Sequence, residues 1–253
     1  MRMSIIAASR LRGNPFVMVV DTSKAGSASD AFQFTGALGD YDVVAKQSGV
    51  AVETFSNLSG QQTITFSNGI GIYTLEVTPK ATGGFNRIEF NNSGDKLKIT
   101  DITSWGNIAW SSFENAFRGA SNLTGTYTDK PNLQNLTNMS LMFFQASSFN
   151  GNVTNWDVSN INTMRAMFRD CFVLNPNTSN WDVSNVTDML VMFQGTALST
   201  ANLDGCYQNW SQLSLQLNVV FGAGTVQFTS AAQSGRNILV NTYNWTITDG
   251  GLV

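Results

Sequence analysis

Residues 155–168, NWDVSNINTMRAMF, and residues 180–193, NWDVSNVTDMLVMF, are two copies of one pattern at a separation of 25. Trp156 pairs with Trp181, Val158 with Val183, Asn160 with Asn185 and Ile161 with Val186. Met164, Met167 and Phe168 fall on Met189, Met192 and Phe193. An earlier copy, NLQNLTNMSLMF at 132–143, keeps the same step through Leu133, Asn135, Leu136, Met139, Met142 and Phe143. A degenerate copy, WSSFENAF at 110–117, fits at a step of 26 with Phe113 and Phe117 in the apolar slots. The pattern therefore makes four tandem units, and repetition at such a period means stacking.

A period of 25 lies within the range of leucine-rich-repeat coils, in which each unit contributes a short strand and a turn of irregular backbone. The spacing predicts an inward-facing core of Met139, Met142, Phe143, Met164, Met167, Phe168, Met189, Met192 and Phe193. Methionine in these slots is core filling before it is anything else. Asn135, Asn160 and Asn185 are expected to form an internal ladder, each amide bonding the backbone of the next coil. After Leu203 the motif stops, and an end layer must be covered. Leu215, Val219, Val220, Phe221, Phe228, Ile238, Leu239, Val240 and Trp245 are candidates for that cover, with helix expected around Ala231–Asn241.

Upstream, the stretches FVMVVD (16–21), AFQFTG (31–36), YDVVAK (41–46), QQTITF (61–66), IYTLEVT (72–78) and FNRIEF (85–90) read as strands. They are β-branched and aromatic, and Gly, Ser, Asn and Asp separate them. The expected class is mainly β: an N-terminal arm at 1–13, a β-sandwich at 14–92, a repeat solenoid at 93–205 and a cap at 206–253.

Composition narrows function. The 253 residues contain no histidine, which removes the commonest zinc ligand and the usual general base of nucleophilic sites. An enzyme is not expected, nor any cofactor or metal. Fourteen basic residues against seventeen acidic leave a net charge of −3, without the basic footprint that nucleic acid requires. Cys171 and Cys206 lack metal-knuckle spacing and are expected to be buried free thiols. Near the N-terminus the longest apolar stretch is Ile5–Ala8, shorter than the ~7–15 residues of a secretory leader. Nothing approaches the ~18 apolar residues of a membrane span, so no membrane insertion is expected.

Several residues have competing readings. Trp156 and Trp181, with Asp157 and Asp182 beside them, are candidate surface contacts for a receptor glycan. The identical phase of the tryptophans favours packing between coils instead, and the aspartates suit local Asx turns better than a cation. Glu114 with Asp129, or Asp170 with Asp188, lack the pairing signature of a glycosidase and read as loop carboxylates. The sequons at Asn122, Asn185 and Asn244 arise from an Asn- and Thr-rich repeat. Arg118, Arg165 and Arg169 recur near the Met-Phe segment and read as surface charge.

The strings WDVSNINTMRAMF and WDVSNVTDMLVMF resemble the BspA-like leucine-rich-repeat surface proteins, and the resemblance covers roughly residues 86–253. It implies a binding scaffold on cell or virion surfaces with no catalytic residues to carry over. The first ninety residues are similar to the PKD-type sandwich, although the acidic turn expected after Tyr41-Asp42-Val43 is replaced by Ala45-Lys46-Gln47-Ser48-Gly49. With no leader read at the N-terminus, the expectation is a phage virion protein of the tail or fibre apparatus. Its expected partners are other virion proteins and a host-surface receptor or glycan, and a homo-oligomer is expected. The alternative is a bacterial cell-surface adhesin.

Overall fold

A computed structural model describes residues 13–80 and 84–253. The N-terminal arm expected at 1–13 lies outside the described residues except for Gly13. The chain is mainly β with several sheets.

Strand β1 (Phe16–Asp21) buries alternate residues, Phe16, Met18 and Val20, as period-2 patterning requires. It is followed by β2 (Ala31–Gln33), β3 (Asp40–Gln47), β4 (Val50–Ser59), β5 (Thr63–Thr65) and β6 (Ile72–Pro79). Then come β7 (Ile99–Ser104) and β8 (Thr124–Gly125). The six-stranded sheet has the order β4-β3-β6-β1-β7-β8, and β2 pairs with β5 alone. Tyr41, Val43 and Ala45 of β3 meet Tyr73, Leu75 and Val77 of β6 on the buried face. The segment 85–90, expected as a strand, makes a single isolated bridge, Leu38 with Arg87, and Gly84 just before it bridges Asp40. Its Phe85, Ile88 and Phe90 are buried nonetheless, with Phe85 edge-on to Tyr41. The sheet also crosses the expected limit at residue 92, since β7 pairs antiparallel with β1 and parallel with β8.

Beyond β8 the repeats stack by backbone pairing at the offset of the sequence period. Met139, Leu141, Phe143 and Gln145 donate their N–H groups to the carbonyls of Thr163, Arg165, Met167 and Arg169 at 2.9–3.0 Å. Met164, Ala166, Phe168 and Asp170 donate in the same way to Asp188, Leu190, Met192 and Gln194. The intervening N–H groups close local turns, as Met142 does to Met139 and Phe144 to Leu141. Every second donor thus goes to the next unit, so the pairing is parallel although little of it is extended strand. Inside it the rings of Phe117, Phe143, Phe168 and Phe193 stack at centroid spacings of 5.5, 5.9 and 6.0 Å, with interplanar angles of 13°, 8° and 3°.

Pairing continues past the end of the sequence motif. Strand β9 (Asp188–Met189) pairs parallel with β10 (Val220–Gly222), which pairs parallel with β11 (Thr246–Thr248). Helix α1 (Thr200–Trp210) precedes β10, starts at Ser199, whose side chain accepts from Asn202 N, and buries Leu203, Cys206, Tyr207 and Trp210. Helix α2 (Gln233–Asn241) lies between β10 and β11 in chain order and buries Gly235 and Leu239. The aromatic stack ends on Phe221, set at 90° to Phe193.

The turns carry strain at residues that are not glycine. Asn115, Leu141, Ala166 and Val191, one per unit, have φ of 56°, 60°, 51° and 51°. For a β-branched residue such as Val191 this is a genuine outlier. Gly222 lies directly above it, where an added Cβ would sit 2.5 Å from the Val191 nitrogen. Asparagine tolerates left-handed backbone, so Val191→Asn is expected to raise the unfolding free energy by about 0.5–1 kcal/mol, the left-handed cost partly offset by lost packing. Urea denaturation measures it, and a loss of stability would refute the strain.

Candidate functional site

Trp156 and Trp181 are 4% and 2% exposed, so both tryptophans are withdrawn from the expected contact surface. The Trp181 indole donates to the Val153 carbonyl at 3.0 Å, which fixes it between units. Asp157 and Asp182 are exposed, and each accepts from the backbone N–H two residues on, Ser159 at 3.3 Å and Ser184 at 3.0 Å. The Ser159 hydroxyl and N–H hold the Asp157 carboxyl below the usual carboxylate range. These are Asx turns. Met139, Met142, Phe143, Met164, Met167, Phe168, Met189, Met192 and Phe193 all lie in the core.

The asparagines run along the surface rather than inside. Asn160 and Asn185 are exposed, yet their amides donate to the preceding unit, to Gln134 O at 3.1 Å and Ser159 O at 2.7 Å. Asn135 has no such bond among the described residues. Asn122, read only as a sequon, makes the equivalent bond to Leu97 O at 2.7 Å, and the Asn244 amide donates to Asn218 Oδ1 at 2.5 Å. The motif marks the ladder, but an amide at the edge of a coil reads the same in sequence as one inside it.

The candidate acids have structural work. Asp129 accepts from Ser104 Oγ, Trp105 N and Gly106 N at 2.7–3.0 Å. Asp188 faces Arg165 at 3.4 Å, and Asp170 lies 3.7 Å from Arg169. Among the described residues no group of three or more His, Cys, Asp or Glu is placed to hold a metal ion. No helix among them is long and apolar enough to cross a membrane.

One feature that repeat phase alone did not single out is a column of side chains following each stacked phenylalanine: Arg118, Phe144, Arg169 and Gln194. The Phe144 ring is half-buried, with the guanidinium carbons of Arg118 and Arg169 at 5.3 and 5.4 Å from its centroid. Such cation–π contacts hold both arginines in register. Among the described residues Arg118 Nη1 donates only to neutral partners, Asn91 Oδ1 at 3.1 Å and Asn115 Oδ1 at 3.5 Å. The sequence signals this column in Arg118 and Arg169, but nothing in it marks Phe144 between them as only half-buried.

The profile of the family described as Mycoplasma protein of unknown function, DUF285, matches residues 86–224. The chain belongs to the DUF285 family. That family is associated with BspA-like repeat proteins. The DUF285 region takes in β7, all four sequence units, the arginine–phenylalanine column and β10. No curated protein and no solved structure matches the chain.

Both cysteines belong to the DUF285 region and both are buried and free. Burial pushes the Cys206 thiol up to about 12, opposed by contact with Thr178, and raises Cys171 still further. The thiolate is the reactive form. The folded chain is therefore expected to resist thiol-directed reagents at neutral pH and to react at both cysteines once unfolded. Counting labelled thiols with and without denaturant checks this, and rapid labelling of the native chain would contradict the burial.

Proposed function

We propose that this chain is a non-enzymatic structural protein of a phage virion, in the tail or fibre apparatus, whose repeats contact a host surface or a neighbouring subunit. The stacked units are read as a BspA-like leucine-rich-repeat solenoid at 93–205, the N-terminal sheets as a PKD-like sandwich at 14–92 that docks into the particle, and 206–253 as the cap. The observation that carries the reading is the column of Arg118, Phe144, Arg169 and Gln194 on rigidly paired turns. Side chains repeated in fixed register on a continuous core make an extended recognition surface, which is how stacked-repeat proteins work. Its partners would be other virion proteins and a host receptor or glycan, in a symmetric homo-oligomer.

A second reading, a bacterial cell-surface adhesin, is favoured by the family's description as a Mycoplasma protein. Fractionation separates the two. Density-purified particles should contain the chain at fixed stoichiometry, and an Arg118→Ala, Arg169→Ala double variant should assemble but adsorb poorly to host cells. Recovery with the bacterial envelope and never with particles would favour the adhesin. Recovery with neither would overturn both.

A further inference from the structure

The tryptophans of the C-terminal half share one habit. The indole N–H of Trp181 donates to Val153 O at 3.0 Å, that of Trp210 to Thr178 O at 3.1 Å, and that of Trp245 to Gln216 O at 2.9 Å. Each ring reaches back to a carbonyl of the preceding turn. Trp156 occupies the same place one unit before Trp181, and the same reach would bring its N–H to Thr128. It does not arrive: Trp156 Nε1 is buried and has no hydrogen-bond partner. An unpaired buried donor is costly and calls for an explanation.

The cause lies in residues 126–131, TYTDKP, where the repeat is broken. Aligned at the period of 25, Lys130-Pro131 stands where later units have Asn155-Trp156 and Asn180-Trp181. Thr128 is exposed, whereas its counterparts Val153 and Thr178 are buried. The withdrawn segment leaves a cavity of about 340 Å³ lined by Tyr127, Thr128, Asp129, Lys130, Asn152, Asn155 and Trp156. A second cavity, of about 320 Å³, lies across Lys130 and includes Asn107, Asn132, Gln134 and Asp157 in its walls. The sequence interruption, the orphaned indole and the cleft thus coincide.

We propose that this cleft is a binding site for a neutral carbohydrate. The inference rests on the reading of the chain as a recognition scaffold and names a ligand class for it. Its walls are amides, a hydroxyl and carboxylates, groups that pair with sugar hydroxyls because a hydroxyl both donates and accepts. Asn155 has no side-chain partner among the described residues, and Asn152 uses only its Oδ1, which accepts from Thr154 N at 3.0 Å. Trp156 and Tyr127 give the cleft its apolar wall. Asp129 is fixed by its three donors, so the rim is built before a ligand arrives. Concave, preformed sites with a few convergent polar groups are the usual form of a small-ligand site.

Charge selects among sugars. Lys130 stands in the wall of both cavities, between Asp129 in one and Asp157 in the other, so acidic groups outnumber basic ones by one. A phosphate or uronate would meet net repulsion there, whereas a neutral ring would not. The polar walls equally disfavour an apolar ligand. Two compartments side by side suit consecutive residues of an oligosaccharide.

The test is a tryptophan-fluorescence titration of the full chain with cello-, chito- and manno-oligosaccharides, with polygalacturonate as the anionic comparison. At least one neutral series should bind saturably, with an affinity insensitive to added salt. An Asn152→Ala, Asn155→Ala double variant, altered only at exposed positions, should weaken it by about tenfold or more. A Val50→Ser control on the exposed strand β4 should leave it unchanged. Failure of every neutral series to bind, or undiminished binding by the asparagine double variant, would overturn the site. Binding of polygalacturonate alone, abolished with the two arginines, would also overturn it and leave the scaffold reading standing. Loss of the chain from both particles and envelope, with sugar binding intact, would do the reverse.

Discussion

Replacing Asp95 with Ala is expected to lower the unfolding free energy by about 3–5 kcal/mol, because it leaves a buried ammonium without its carboxylate. Asp95 and Lys98 are both fully buried. Asp95 accepts from Ser27 N at 2.5 Å, Ser27 Oγ at 2.7 Å and Gln33 N at 2.7 Å. Lys98 Nζ lies 3.6 Å from Asp95 Oδ2 and donates to the carbonyls of Ser27, Ala28 and Ala31 at 3.1, 2.8 and 2.7 Å. The pair therefore ties the loop leading into β2 to the turn before β7, where no sheet bonds join them. Lys98→Met is expected to cost a similar amount, since it strands the carboxylate. The two effects should not add, for each variant destroys the same pair. A double-mutant cycle by urea denaturation measures this, and single-variant losses below about 1 kcal/mol would show that water reaches the site and relaxes it.

That pair also shows where the sequence stops being readable. In GDKLKIT at 94–100, Lys96 and Lys98 are the same residue type two positions apart, yet only Lys98 is buried. Burial there depends on loop carbonyls some seventy residues earlier, which no local pattern encodes. The repeat columns were legible for the opposite reason. Met164, Met167 and Phe168 recur in Met189, Met192 and Phe193, and a period is visible wherever each unit must fill the same space as the next. Strand β4 was missed because its apolar residues do not alternate cleanly: Val50 and Val52 are exposed, and only Phe55 and Leu58 pack against the core. Helix α1 was missed because TANLDGCYQNW mixes small and polar residues around its four buried ones. The left-handed turns at Leu141, Ala166 and Val191 were illegible, since the sequence offers no glycine there to announce them. The cleft beside Trp156 was half legible. TYTDKP visibly breaks the repeat, but only the geometry of Trp181 reveals which hydrogen bond the break removes.

Phe168→Ala is expected to cost about 3–5 kcal/mol, the range for truncating a buried phenylalanine. Phe168 is fully buried and is an inner member of the stack, with Phe143 at 5.9 Å and Phe193 at 6.0 Å, and Trp181 packs against it at 6.3 Å. Backbone pairing on both sides, from Phe143 N to Met167 O and from Phe168 N to Met192 O, keeps the units from collapsing into the cavity. Phe168→Leu keeps most of the buried area and loses mainly the ring pairs, worth about 0.5–1.5 kcal/mol each, so it should cost about 1–3 kcal/mol. The order of the two variants separates burial from stacking. A stacked array is coupled only through nearest neighbours, so an inner truncation weakens both interfaces of one unit. Phe168→Ala is therefore expected to lower the urea m-value as well as the midpoint, because the sheets before and the helices after begin to unfold separately. A loss below about 0.5 kcal/mol with an unchanged m-value would sink the inward-facing stack.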